Sequence, residues 1–197
     1  MKRQELLDLI VETEQKHLKE QGEVIPKMFA LDDDGKFALV VLTGLPSTNQ
    51  EKQMAFKAIG QNLRREMDKL GKKLEELLFV SDTIMGFFDP KAEYTGKKKK
   101  IVEKIKSGTI APSEIPEKFI DLRKEALIII TNNSQGKQGM LKMEYERKGK
   151  EFNFSKLDDM GTEFSDTLVT SAWYGYVYPD STKDKAIAEM FGTVQKN

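Results

Sequence analysis

An Asp-Gly pair between two apolar runs constrains the fold of this chain more than any other local pattern. The runs occupy residues 24–31 and 36–42, and Asp34-Gly35 lies in the short polar segment between them. Asp and Gly tolerate the positive φ that a tight hairpin turn requires, and flanking apolar runs are typical of paired strands. The pattern therefore predicts an antiparallel hairpin over residues 24–42. Pro26 lacks an N–H and fits at the beginning of its first strand.

Helical and strand patterns follow one another along the rest of the chain. Apolar residues recur at helical spacing in residues 3–20, in residues 48–70 and in a last segment beginning near Ser181. Strand patterns occupy residues 77–88, 126–131, 140–147 and 167–178. The resulting order is α-β-β-α-β-(insertion)-β-β-β-α. This order predicts an α+β fold, in which helices pack on one face of a mostly antiparallel sheet.

The composition changes between residues 89 and 118. Residues 97–100 are four consecutive lysines, and Gly108, Pro112 and Pro116 follow them. Glycine and proline interrupt regular structure, and a long segment of this kind is unusual inside a compact domain. We expect an exposed insertion over residues 89–118, with one or two helical turns, in a single domain that spans residues 1–197.

Charge and residue types exclude several classes of site. The chain has 32 Lys and Arg against 32 Asp and Glu, no cysteine, and His17 as its one histidine. A neutral chain gives no global electrostatic argument for nucleic acid or an anionic membrane. The missing residue types exclude thiolate nucleophiles, cysteine-rich zinc sites and any metal site with two imidazoles. We assign no cofactor and no metal.

No stretch of the sequence is apolar enough to indicate a leader or a membrane span. Asp8, Glu12 and Glu14 interrupt the apolar residues after Met1-Lys2-Arg3, and no apolar run approaches the roughly 18 residues of a spanning helix. A chain without cysteine needs no oxidising compartment. We therefore expect a cytoplasmic protein.

Several short pieces resemble a known but uncharacterised family. They follow the order of that family's segments and share parts of its sequence. The matching pieces are Val24-Ile25-Pro26, Asp34-Gly35, Lys57, Phe79-Val80-Ser81-Asp82 and Asp121-Leu122-Arg123-Lys124-Glu125-Ala126. The chain thereby resembles a prokaryotic and phage family of unknown function, whose strand has the form Val-Ser-Glu-Ala-Trp where this chain has Val80-Ser81-Asp82-Thr83-Ile84. The resemblance implies the order of the fold and no activity. The element order is also similar to the roadblock and profilin-like scaffold, which serves mainly in protein interaction.

Charged and glycine-rich segments provide a few candidates for chemistry. An acidic turn at residues 32–34, a cluster of Asp158, Asp159, Glu163 and Asp166, and the lysines at 97–100 could attract a cation or a phosphate. Each is also typical of a solvated loop or face. His17 could act as a general base, but its position near the end of the first helix explains it without catalysis. Gly136-Lys137-Gln138-Gly139 has the letters of an RNA-clamping loop but joins two predicted strands, which favours a hairpin.

The aromatic segment at residues 173–178 is the strongest candidate for a binding surface. On a strand, Tyr174, Tyr176 and Tyr178 would share one face, and Trp173 and Val177 the other. Three tyrosines on an open face would form a rigid platform for a partner. The alternative is that they pack under the last helix.

The sequence as a whole favours binding over catalysis. We expect a non-catalytic binding or protein-interaction module, with Tyr174, Tyr176, Tyr178 and Trp173 as its binding residues. Its partner would be another protein or a second copy of the chain, and not a membrane. Two alternatives are an enzyme that uses carboxylates with a divalent metal, and a module that binds single-stranded nucleic acid through the lysine run and the tyrosines.

Overall fold

The computed structural model of the protein describes residues 2–149, 151–161, 167–178 and 193–196. These residues form four α-helices, which are α1 (Arg3–Gln21), α2 (Asn49–Leu70), α3 (Gly96–Lys106) and α4 (Thr167–Val177). They form eight strands, which are β1 (Lys27–Asp32), β2 (Phe37–Val41), β3 (Leu74–Gly86), β4 (Arg123–Asn133), β5 (Gln138–Lys148), β6 (Glu151–Phe154), β7 (Asp158–Asp159) and β8 (Thr193–Lys196). Two short 3-10 helices, Pro112–Glu114 and Glu117–Leu122, precede β4.

The strands form one antiparallel sheet. Their order is β6-β5-β4-β3-β1-β2-β8, and β7 pairs with β5 beside β6. The predicted α+β class is confirmed. The two strands of the predicted hairpin, β1 and β2, pair with each other, and β3 pairs with the other edge of β1. In the hairpin turn, the Asp32 carboxylate accepts hydrogen bonds from the N–H groups of Asp34 at 3.0 Å and Lys36 at 2.7 Å. Gly35 takes the positive φ of 74° that the Asp-Gly pair predicted.

Each face of the sheet has its own apolar core. On one face, α2 and α4 pack against β1, β2, β3 and β4 through a cluster that includes Phe56, Leu63, Val169, Leu77 and Phe79. On the other face, α1 packs through a cluster that includes Leu6, Ile10, Leu18, Leu78 and Val80. The prediction that the helices share one face was therefore wrong for α1. Residues 77–80 of β3 are all apolar and buried, and a strand of this kind needs cover on both sides.

Residues 167–177 form a helix, whereas the sequence predicted a strand over residues 167–178. The buried residues Val169, Ala172 and Tyr176 are spaced by three and four, which places them on one side of α4 against the core. Val, Thr and aromatic residues favour strands, but packing on α2 outweighs that preference. The final helix predicted from Ser181 lies outside the described residues.

The segment between β3 and β4 is more ordered than the expected insertion. Its helix α3 has 11 residues, or about three turns. Val102, Ile115 and Leu122 are buried in a small apolar cluster of their own, with Phe88, Tyr94, Ile101, Ile105, Ile110 and Phe119 packed around them. The segment therefore has a satellite core that fixes it at the end of the sheet.

Candidate functional site

Helix α4 packs directly against α2, with the backbones of the two helices in contact. A Cβ atom added to Gly60 would lie 1.8 Å from the carbonyl oxygen of Ala172, and one added to Gly175 would lie 1.9 Å from the carbonyl oxygen of Lys57. Real Cβ atoms essentially never approach other heavy atoms within 3.0 Å, so neither position admits a side chain. The reciprocal pair of glycines therefore fixes the position of α4, because the two backbones contact each other directly.

Tyr176 points into the core from this helix. Only 8% of its surface is exposed, and its hydroxyl accepts a hydrogen bond of 2.9 Å from the backbone N–H of Leu74. Its ring lies 5.7 Å from that of Trp173, which is partly buried against the same core. Tyr176 and Trp173 therefore support the helix from within, and Tyr176 presents no free ring to a partner.

Tyr174 and Tyr178 point outward from α4. They are 52% and 58% exposed, and Val177 between them is 43% exposed. The two tyrosines are four positions apart in the chain, so they lie one turn apart on the same side of the helix, with their ring centroids 4.6 Å apart. The ammonium of Lys57 on α2 lies 5.6 Å from the centre of the Tyr174 ring. Tyr174, Val177 and Tyr178 form a small aromatic surface, named here the α4 face.

The predicted platform of three tyrosines is thus corrected to a pair. On a strand, residues two apart share a face, whereas on a helix residues four apart do. Tyr174 and Tyr178 satisfy both spacings and come together, but Tyr176 and Trp173 are turned toward the core. Whether the α4 face binds a partner stays a prediction.

A buried ionic cluster joins α1 to β1. The Lys27 ammonium donates hydrogen bonds to both carboxylate oxygens of Glu14, at 2.6 and 2.7 Å. Glu14 is completely buried, and Lys27 is nearly so. The Nδ1 atom of His17, one turn further along α1, lies 3.0 Å from Glu14 Oε2 and 3.2 Å from Lys27 Nζ.

Sequence reasoning did not identify this cluster. Glu14 lies on the apolar stripe of α1, and Lys27 begins a strand whose burial is continuous. The position of Glu14 on an apolar helical stripe could have indicated the cluster, because a buried carboxylate needs a buried cation. His17 is explained by its contact with Glu14, which holds its ring in place at the edge of the cluster.

Asp82 lies near this cluster on the same face of the sheet. One of its oxygens lies 3.5 Å from the backbone N–H of Val24, which is a weak hydrogen bond. Burial raises the pKa of the Asp82 carboxyl, and the nearby carboxylates of Glu23 and Glu14 raise it further. Asp82 is therefore a group whose ionisation opposes folding.

The acidic segments do not converge on one site. Asp34 forms an ion pair with Lys72, whose hydrogen bond and charge lower the pKa of the Asp34 carboxyl. Asp158 and Asp159 are exposed in β7, and Glu163 and Asp166 lie outside the described residues. Within the ranges that the structure describes, no group of three or more His, Asp or Glu side chains is placed to hold a metal ion.

The lysine run and the glycine-rich loop both have structural explanations. Residues 97–100 lie in α3, where Lys98 pairs with Asp121 and lies 5.5 Å from the centre of the Tyr94 ring. The loop of residues 136–139 belongs to the hairpin between β4 and β5, as its position between two strands predicted. Gln138 of this loop donates a hydrogen bond of 2.6 Å to the hydroxyl of Thr170 on α4, one turn before Tyr174.

Comparisons with known proteins yield no relative. No family model, no curated protein and no solved structure matches the chain. The resemblances to the uncharacterised family and to the roadblock and profilin-like scaffold stay predictions. No helix in the described part of the chain has the length and apolar character to cross a membrane.

Proposed function

We propose that the chain is a non-catalytic protein-interaction module whose α4 face binds a second copy of the same chain. The observation that carries this proposal is the exposed pair of Tyr174 and Tyr178, whose rings contact each other at an angle of 42° on a helix fixed by backbone packing. Half-exposed tyrosines on a rigid support are typical anchors of protein interfaces. The expected cytoplasmic location belongs to this proposal.

The absence of charge on α4 supports a protein partner. The 11 residues of α4 include no Asp, Glu, Lys or Arg, whereas 32% of the chain is charged. Desolvating this helix therefore costs no ionic hydration, and charged residues are depleted at interface cores. Helix α4 is also compatible with a second copy of itself, because it brings no charged side chain of its own to the contact.

The size of the α4 face favours a reversible association. Stable complexes bury about 800 Å² on each partner, which requires many more residues than the three of this face. Residues of α2 beside it, including Lys57 with its position over the Tyr174 ring, would form the rim. We expect a dimer that dissociates on dilution.

Sedimentation equilibrium over a range of concentrations tests the proposal. The double variant Tyr174→Ser/Tyr178→Ser should be monomeric where the natural chain associates, because aromatic anchors contribute on the order of 2 kcal/mol each. The same change should alter the free energy of unfolding by well under 1 kcal/mol per site, because both rings are exposed.

A matched control is available on the opposite side of the sheet. Leu9 and Ile25 are 41% and 40% exposed, so Leu9→Ser/Ile25→Ser removes two exposed apolar side chains outside the α4 face. The control should leave the association constant unchanged. A monomeric natural chain at all concentrations, or equal weakening by both double variants, would contradict the proposal.

A metal-dependent enzyme would require carboxylates that converge, and no such group is found among the described residues. A nucleic-acid module would require lysines beside the exposed rings, and Lys57 does lie 5.6 Å from the centre of the Tyr174 ring. The lysine run that this alternative depends on lies instead in α3, where Lys98 pairs with Asp121. A thermal shift with Mg²⁺ or retention on single-stranded DNA would favour one of them over the proposal.

A further inference from the structure

All five tyrosines of the chain lie in its described part, and just two of them are both exposed and in contact with each other. Tyr174 and Tyr178 are more than half exposed, and their ring centroids lie 4.6 Å apart. Tyr145 and Tyr176 are buried, and Tyr94 packs against the separate apolar cluster around α3 and is partly exposed. A dissolved oxidant can therefore reach two phenol rings that already touch.

The backbone holds these two rings together. The N–H of Tyr178 donates a hydrogen bond of 2.9 Å to the carbonyl oxygen of Tyr174, which is the four-residue spacing of an α-helix. Gly175 lies against the backbone of Lys57 and fixes this turn on α2. Well-oriented groups held in contact react as if each were present at roughly 10⁵–10⁸ M. Two rings joined by a single C–C bond have centroids only slightly closer than these, so coupling requires little rearrangement of the fold.

The residue types of the chain direct oxidation toward these rings. Thiolates are readily oxidised, and the chain has no cysteine. The exposed side chains of Met54 and Met160 can each take up an oxygen atom as a sulfoxide, which is a different reaction from the loss of a single electron. The indole of Trp173 can also lose an electron, but it is partly buried against the core. The exposed phenols of α4 are therefore the groups best placed to react with a one-electron oxidant.

We propose that Tyr174 and Tyr178 are a site of oxidative modification, at which a one-electron oxidant joins the two rings as an intrachain dityrosine. Hydrogen peroxide acting through a haem peroxidase is an oxidant of this class. Each phenol loses one electron and its hydroxyl proton, and the two radicals form a C–C bond between ring carbons next to the hydroxyls. The hydrogens on those carbons move to the oxygens through water, which restores both phenols. The two electrons and two protons released reduce one hydrogen peroxide to two waters. The reaction uses a contact within one copy of the chain, so it does not depend on the proposed association.

Treatment of the full chain with a haem peroxidase and hydrogen peroxide tests the proposal. The reaction is run at a dilution where sedimentation shows a monomer, which keeps its outcome separate from that of the proposed dimer. We expect a monomer that has lost two hydrogen atoms and shows dityrosine fluorescence, whereas a sulfoxide would add an oxygen atom. Trypsin cleaves after Lys156 and Lys183, so the loss should lie in the peptide of residues 157–183. Sulfoxides alone, or covalent dimers without the intrachain link, would refute the proposal.

Single substitutions by phenylalanine assign the two rings. Tyr174→Phe and Tyr178→Phe should each abolish the intrachain product, because coupling needs two phenols, and both changes affect exposed hydroxyls and should leave the fold intact. Tyr176→Phe removes the third phenol of the same peptide, and Tyr94→Phe removes one outside α4. Both controls should give the product in the yield of the natural chain, and Tyr94→Phe serves alone if Tyr176→Phe does not fold. A loss of two hydrogen atoms that persists in Tyr174→Phe or Tyr178→Phe would overturn the proposal.

Discussion

Replacing Gly175 with alanine separates local helix preference from the packing of α4 on α2. Alanine is a better helix former than glycine by about 1 kcal/mol, so local preference alone predicts a more stable protein. The new Cβ atom would lie 1.9 Å from the carbonyl oxygen of Lys57. Reaching even the 3.0 Å limit requires the two helices to separate by about 1.1 Å.

The packing cost should exceed the local gain. Overpacking a core typically costs about 1–3 kcal/mol, and the upper end applies because the obstacle is backbone, which cannot rotate away. Subtracting the helix preference leaves a net loss of about 2 kcal/mol in the free energy of unfolding. Gly60→Ala should behave alike, since its Cβ would lie 1.8 Å from the carbonyl oxygen of Ala172.

Urea unfolding followed by circular dichroism measures this loss. The midpoint should fall while the dependence on urea concentration stays the same, because the surface exposed on unfolding hardly changes. Met54→Ala is the control, since Met54 is exposed on α2 and its loss should cost less than about 0.5 kcal/mol. A Gly175→Ala variant as stable as the natural chain would show that the two backbones are not in contact.

Two further predictions concern the α1 side of the sheet. Lys27→Met should lower the free energy of unfolding by about 3 kcal/mol, the lower end for a broken buried ion pair, because the buried Glu14 carboxylate loses its cation but keeps its contact with the His17 ring. Glu14→Leu/Lys27→Met should recover most of that loss, and equal losses in both variants would contradict the buried pair. The raised pKa of Asp82 means that the native state binds a proton more tightly than the unfolded chain, so its ionisation lowers stability as the pH rises from 3.8 through the higher native pKa. Denaturation at a series of pH values should therefore show a smaller stability loss on raising the pH for Asp82→Asn than for the natural chain. Asp8→Asn, which changes an exposed residue of α1, is the control and should show the same dependence of stability on pH as the natural chain. If Asp82→Asn also showed that same dependence, the ionisation of Asp82 would not destabilise the native state.

The parts of the fold that depend on neighbouring residues were predictable from the sequence. The Asp34-Gly35 turn and its two strands are local, because the turn residues and the apolar runs lie within 20 residues of one another. The nearly continuous apolar run within residues 77–88 correctly predicted a strand, which is β3. The same run could also have predicted that both faces of β3 are covered, since a strand with one solvated face alternates between apolar and polar residues.

The parts that depend on distant contacts were not predictable. Gly60 and Gly175 meet only because α4 returns to α2, and neither glycine differs in sequence from one in a loop. Glu14 and Lys27 are separated by 13 residues, and their pairing needs α1 to lie on β1. For the candidate surface, the prediction depended on whether residues 174–178 form a strand, with a side-chain period of 2, or a helix, with a period of 3.6. Only the strand would place Tyr176 on the same side as Tyr174 and Tyr178.

One face of the sheet is covered by the two helices α2 and α4 and the other by α1 alone, and this difference explains where side chains of the sheet are exposed. Helix α1 ends at Gln21, and the following Gly22 lies against the guanidinium of Arg147, near the end of β5. The strands β4 and β5 continue past this helix end, but Tyr145 and Phe154 still belong to the apolar core under α1, and the Lys19 ammonium of α1 lies 5.5 Å from the centre of the Phe154 ring. The apolar residues of β5 and β6 on this face are therefore explained by the helix that covers them, since a strand face needs apolar residues only where it is covered. Ile84 and Glu125, on the neighbouring strands β3 and β4, are exposed, and they mark where the cover by α1 ends.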